Sequence, residues 1–207
     1  MSQRSFSPFP RKGRKKAVLI GVRMVANVEG LKPLRQAHAD VDALKDLLLN
    51  HYGYKEEDII VMKDRKDHPP ELWPKANLIL QRIDWLVKDA SENDQFFFYY
   101  SGHGNQTACS HGSEIDGKDE GIFGANGPSI IDNKLKKRLV DPLVRGSKLF
   151  ALFDCCHSET ILDLEHHNCN NVHKESVDQL EERPGPWHSI FDIAAKSVKY
   201  TAVVLDS

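Results

Sequence analysis

The stretch "KLFALFDCCHSE", Lys148 to Glu159, decides the fold. Its first half is a continuous apolar run, the pattern of a strand buried on both faces of a parallel sheet. The run breaks into Asp154, Cys155, Cys156, His157 and Ser158 where a buried strand surfaces. In open α/β sheets, ligands bind beyond the C-terminal ends of the strands. Two cysteines and a histidine there can supply a redox pair, a metal site or a nucleophile.

Further apolar runs lie on either side. "AVLIGV" (Ala17 to Val22), "DIIVM" (Asp58 to Met62), "QFFFYY" (Gln95 to Tyr100) and "YTAVVLD" (Tyr200 to Asp206) read as strands. Between them, apolar residues recur at helical spacing from Leu34 to Leu49, stopped by Gly53 and Tyr54, and again from Ala76 to Val87. "KLKKRLVDPL" (Lys134 to Leu143) reads as a short helix closed by Pro142. The segment after the third strand, rich in Gly, Asp, Asn and Ser, reads as a long loop. Strands alternating with helices imply βαβ units and an α/β fold: a mainly parallel sheet with helices on both faces.

Composition narrows the function classes. The chain has 207 residues, 40% of them hydrophobic, and a formal net charge of -2, so no overall field selects nucleic acid. No apolar run approaches the ~20 residues that span a bilayer, and the N-terminus carries no secretory h-region. Cys109, Cys155, Cys156 and Cys169 in such a chain speak for a reducing cytoplasm, or the nucleus, over a disulfide framework. The basic run "RKGRKK" (Arg11 to Lys16) reads as a solvated tail, with a nuclear signal or a processing site as alternatives. The expected organisation is a flexible basic, Pro-containing stub at 1–16 and one domain at 17–207.

His103 stands between Gly102 and Gly104 at the exit of "FFFYY", and Cys155 and Cys156 at the exit of "LFALFD". Neighbouring strands would bring an imidazole and a thiol to one sheet edge. A histidine there can take the thiol proton and later protonate a leaving amine. The N–H groups of Gly104 and of the nucleophile could bind an oxyanion. Adjacent cysteines are poor structural-zinc spacing, so a metal cluster of Cys155, Cys156, His157, His166, His167, Cys169 and His173 is a weaker reading, and a redox pair, normally Cys-x-x-Cys, weaker still.

"YYSGHGNQ" followed by "ALFDCCHS" resembles the metacaspases, Cys–His peptidases of the caspase fold. "LRQAHADVDALKDLLLNHYGYKEEDIIVMKD" is similar to that family's first helix and second strand. "EIDGKDEGIF" and "SIIDNKLKKRLVDPLVRGSKLFALFDCCHS" are similar to its calcium loop and catalytic strand. The resemblance covers Lys16 to about Leu164. It implies a caspase-like three-layer α-β-α sandwich. Residue by residue, it implies His103 and Cys156 as the catalytic dyad, Gly104 and Cys156 as oxyanion donors, and Asp40, Ser101 and Asp154 as a pocket for Arg or Lys. It further implies calcium as activator, held by Asp116, Asp132, Asn133 and Asp163, with Asn133 where the family usually has Asp. Cys155 becomes a small strand-end residue.

Two departures accompany the resemblance. Glu159 replaces the glycine that usually follows "CHS" and puts a negative charge beside the nucleophile, which disfavours a thiolate. The sheet also lacks the small-subunit part that follows in the family, so a completing segment or partner chain is expected. These departures motivate an alternative to the self-processing, Arg/Lys-specific endopeptidase: a catalytically weak binding or regulatory module. The expected partners are protein substrates, with neither nucleic acid nor membrane.

Overall fold

The apolar runs become one five-stranded sheet. The computed structural model describes residues 12–108, 118–155 and, as backbone, the strand within 201–206. The strands are β1 (Lys15–Gly21), β2 (Ile59–Lys63), β3 (Gln95–Ser101), β7 (Lys148–Asp154) and β8 (Thr201–Asp206), in the order β2-β1-β3-β7-β8. β2, β1, β3 and β7 run parallel, while β8 is antiparallel to β7. Pairing puts Lys63, Gly21, Ser101 and Asp154 side by side, so the four parallel strands finish level.

Side-chain alternation makes the sheet two-faced in packing although apolar on both faces. On one face Ala17, Leu19, Phe97, Tyr99, Phe150 and Leu152 meet Val41, Leu44 and Leu48 of α1 (Ala37–His51). On the other, Val18, Ile20, Phe96, Phe98, Leu149 and Phe153 meet Ile79, Ile83 and Leu86 of α2 (Ala76–Val87). Phe97 stacks on Phe150 at 5.1 Å between ring centroids, and Phe98 packs against Phe153 at 5.4 Å, one pair on each face. Each such ring buried from water contributes about 2–3 kcal/mol, which fixes β3 beside β7. Among the described residues, no helix is long and apolar enough to cross a membrane.

The expected helix from Leu34 starts later, at Ala37; the Leu34 N–H bonds the Arg23 carbonyl at 2.9 Å in the segment before it. Gly53, at φ 65°, supplies the left-handed residue after α1. The short helix expected from Lys134 is a turn of α-helix, α3 (Asp132–Leu135), running into a π-helical turn (Lys136–Val140) that buries Leu139.

Two expectations need correction. The long polar segment after β3 contains a small antiparallel sheet: β4 (Gly104–Ala108), β5 (Lys118–Phe123) and β6 (Ser129–Ile131), in the order β4-β5-β6. Its strands are short, polar and glycine-bearing, so they lack the apolar signature of the main sheet. The basic run, read as a solvated tail up to Lys16, enters the fold: β1 begins at Lys15, two residues before Ala17. Arg14 pairs with Asp94 at 2.8 Å, Lys15 Nζ donates to the Tyr52 carbonyl at 2.5 Å, and Lys16 Nζ donates to the Trp85 carbonyl at 2.8 Å from above the Trp85 ring. Lys16 has its pKa lowered, by burial first and by the Arg14 charge second. Long cationic side chains can bury their stems while their tips find acceptors, a pairing invisible in a linear charge run.

Candidate active site

The level strand ends carry the site. β3 ends at Ser101, and Gly102 and His103 turn the chain into β4. The turn is tight: a Cβ on Gly102 would lie 2.3 Å from Tyr100 Oη, so only glycine fits. The Gly102 N–H donates to the Asp154 carbonyl at 3.3 Å, tying this turn to the end of β7. Tyr100 Oη, buried within the sheet, lies 2.9 Å from both the His103 and the Phe123 carbonyls and shares its one proton between them. The Phe123 N–H adds a bond to the His103 carbonyl at 3.1 Å. The backbone of His103 is therefore held from two directions.

Its ring is held as well. His103 Nε2 lies 2.7 Å from the Lys32 carbonyl. A carbonyl only accepts, so Nε2 carries the proton and Nδ1 is the basic nitrogen of the neutral ring. Lys32 belongs to the strap between β1 and α1, residues 22–36.

His103 borders a cleft of about 410 Å³ with Leu34, Asp40, Ser101, Asp154 and Cys155 among its lining residues. Asp40, in the first turn of α1, and Asp154, at the end of β7, are half-buried carboxyls on the same side of the sheet. Burial raises the pKa of Asp40. Burial raises that of Asp154 too, reinforced by the negative charge of Asp40, while bonds from Ser101 and Tyr99 pull the other way. Ser101 Oγ and Tyr99 Oη each approach Asp154 Oδ2 at 3.5 Å. Among the described residues no ion pair involving either carboxyl is present. A cleft with two partially desolvated acids favours a cationic guest and rejects an acidic one.

The structure thus brings together His103, Asp40, Ser101 and Asp154. Gly104 opens β4, paired in register with Ile122. Cys155 borders the cleft, but its side chain is buried in the core on the α2 face with Tyr100 and Phe153, opposite the face of Asp154. Cys156, Asp116 and Asp163 lie outside the described residues, as do His157, Glu159 and the other members of the His/Cys-rich cluster. Asp132 is fully buried; its Oδ2 accepts the Glu120 N–H at 2.7 Å and its Oδ1 the Asn133 N–H at 2.5 Å. Sequence reasoning missed Tyr99, Tyr100 and Lys32. Two tyrosines in an apolar strand signal buried hydroxyls that must find partners; a main-chain carbonyl leaves no such signal.

Comparison with known proteins accords with this geometry. The family model described as "Metacaspase, peptidase C14 domain" matches residues 15–165. The chain belongs to the metacaspase family. Curated metacaspase relatives include Metacaspase-1 of Kluyveromyces lactis, 42% identical over 155 residues, covering 73% of this chain and 35% of that protein. Metacaspase-1 of Schizosaccharomyces pombe is 41% identical over 155 residues, covering 73% and 36%. The chain therefore matches about a third of the length of these metacaspases. A crystal structure of a Geobacter sulfurreducens protein aligns with TM-score 0.57 at 21% identity, over 90% of this chain and 67% of that one, and shares the fold.

Proposed function

We propose that the chain is the catalytic part of a cysteine endopeptidase that cleaves after Arg or Lys. The observation that carries this reading is one cleft lined by a histidine with its proton fixed on Nε2, by Asp40 of α1 and by Asp154 at the end of the strand leading to Cys156.

In this reading Asp40 and Asp154 receive the guanidinium or ammonium of the substrate, with Ser101 and Tyr99 orienting Asp154. His103 Nδ1 takes the Cys156 thiol proton, and the thiolate attacks the scissile carbonyl. The N–H groups of Gly104 and Cys156 hold the resulting oxyanion. His103 then returns the proton to the leaving amine, and water, deprotonated by the same nitrogen, releases the acyl group from sulfur. Calcium is the proposed activator, held by Asp116, Asp132, Asn133 and Asp163. Asp132 and Asn133 offer oxygen donors of the type a hard cation takes. Asn133 in place of a carboxylate lowers the site's charge and its affinity. Self-cleavage at basic loops and a small-subunit-like segment completing the sheet belong to the same proposal, as does a cytoplasmic or nuclear location.

A second reading, a caspase-like binding module, is favoured by Glu159 beside the nucleophile position. Hydrolysis of a fluorogenic peptide ending in Arg, with and without calcium, separates the two. The enzyme reading expects hydrolysis by the chain and none by Cys156→Ala; equal rates would sink it.

A further inference from the structure

The Lys32 carbonyl orients His103 only if the strap that carries it follows a fixed path. A carboxylate that does not line the cleft fixes the root of that strap. Asp64, one residue past β2, has a side chain only 5% exposed. Its Oδ1 accepts the Arg23 N–H at 2.7 Å, and its Oδ2 accepts the Met24 N–H at 2.8 Å. His38 Nε2, from the first turn of α1, donates to Oδ1 at 2.7 Å. Arg23 closes the strap on itself: its carbonyl accepts the N–H of Leu34, two residues past Lys32, at 2.9 Å. Gly21 permits this convergence, because a Cβ there would stand 2.6 Å from the Ala37 carbonyl oxygen and 3.2 Å from His38 Cδ2.

We infer that Asp64, with His38 as its clamp on α1, is a positioning residue for His103. It sets the outgoing and returning limbs of the 22–36 strap, so that the Lys32 carbonyl meets Nε2 and Nδ1 is left as the basic nitrogen. Asp64 touches neither substrate nor histidine 103. It acts through two backbone N–H groups, one backbone carbonyl bond and the Lys32 carbonyl. A plain structural brace at the ends of β1 and β2 would fix the same loop but leave the imidazole unchanged when removed. The functional half of the inference rests on the reading of His103 as the acid–base group; the geometric half does not.

The test therefore has two readouts on the full chain. The first is nitrogen NMR of ¹⁵N-histidine-labelled protein, with the His103 ring assigned by its disappearance in His103→Asn. The wild type is expected to show a single neutral tautomer protonated on Nε2. In Asp64→Ala the ring nitrogens should move toward the averaged shifts of an unrestrained imidazole. Asp64→Asn, which keeps an oxygen acceptor, should recover most of the wild-type pattern. Asp67→Ala, which removes an exposed partner of Arg65 in the same loop, is expected to leave the ring unmoved. An unmoved His103 ring in folded Asp64→Ala would overturn the inference whether or not the chain hydrolyses peptides. If Asp64→Ala does not fold, His38→Leu removes one clamp and reads the same resonance, and an unmoved ring there would equally overturn the inference. The second readout is kinetic: in Asp64→Ala kcat should fall about tenfold with KM within about twofold, and the acid limb of the pH profile should shift. A lower melting temperature with unchanged kcat and pH profile would also overturn it.

Discussion

At the amino end of the parallel sheet, Asp94 is fully buried and fully partnered. It accepts the Arg14 N–H at 2.7 Å, the Arg14 guanidinium at 2.8 Å and the Ser91 N–H at 3.1 Å. Its own carbonyl takes the Lys148 N–H at the start of β7. At the carboxyl end, Asp40 and Asp154 face one cleft half-buried, with two 3.5 Å approaches to Asp154 and no ion pair among the described residues. Their pKa values differ accordingly. Burial alone would raise Asp94, but the Arg14 and backbone bonds outweigh it and hold its pKa below the usual value. Burial raises both cleft acids, and the charge of Asp40 raises Asp154 further. The same side chain type thus stabilises the fold at one end and, among the described residues, has no cationic partner at the other, which in the proposed reading is the place of a cationic guest.

The most forceful way to break this contrast is to remove one acid from each end. Asp154→Ala is expected to lower kcat/KM on an Arg-ended peptide by about a thousandfold, roughly 4 kcal/mol, because a buried cation loses its partner. Its melting temperature should hold or rise, since a repulsive charge has gone. Asp94→Ala should do the reverse. Losing several bonds to a buried carboxylate costs about 3 kcal/mol in urea denaturation, with kcat unchanged below the melting range. A loss of stability in Asp154→Ala equal to that in Asp94→Ala would erase the distinction.

A gentler probe is pH. A carboxyl whose pKa rises on folding stabilises the folded chain fully below its ordinary value of 3.8 and loses that contribution as pH rises through the raised value. Asp94 does the opposite: its contribution is present above 3.8 and is lost as pH falls through the depressed value. Acidifying from neutrality should therefore stabilise the cleft end before the Asp94 end begins to fail. The cleft's share is under about 1 kcal/mol once solvent screening in a half-open site is allowed for. Thermal melts of the wild type against Asp40→Asn/Asp154→Asn check this: the double variant should lose the upward slope seen on mild acidification and keep the later acid collapse.

How legible each region was in the sequence follows the same division. The main sheet could be read because "AVLIGV", "QFFFYY" and "KLFALFD" are buried on both faces, and the site followed from which residues end those runs. His103, Asp40, Ser101 and Asp154 were all found this way or through the family resemblance, and they meet in one cleft. The small sheet was not legible, because "GNQTA" and "KDEGIF" carry glycine and charge where strand patterns need apolar alternation. The binding of Arg14, Lys15 and Lys16 escaped notice because their partners lie 37 to 80 residues away. The grip on His103 escaped for a different reason: Lys32 offers a main-chain oxygen, and Asp64 acts through main-chain N–H groups. Neither leaves a side-chain pattern to read.

β3 ends at Ser101 and β4 begins at Gly104, so only Gly102 and His103 separate the main sheet from the first strand of the small one. A joint of two residues has no slack. With its carbonyl bonded to Tyr100 and Phe123 and its ring to Lys32, His103 is tied at once to β3, to β5 and to the strap. The bonds that seat the small sheet against β3 are therefore the same ones that place the imidazole, and the two cannot be set independently.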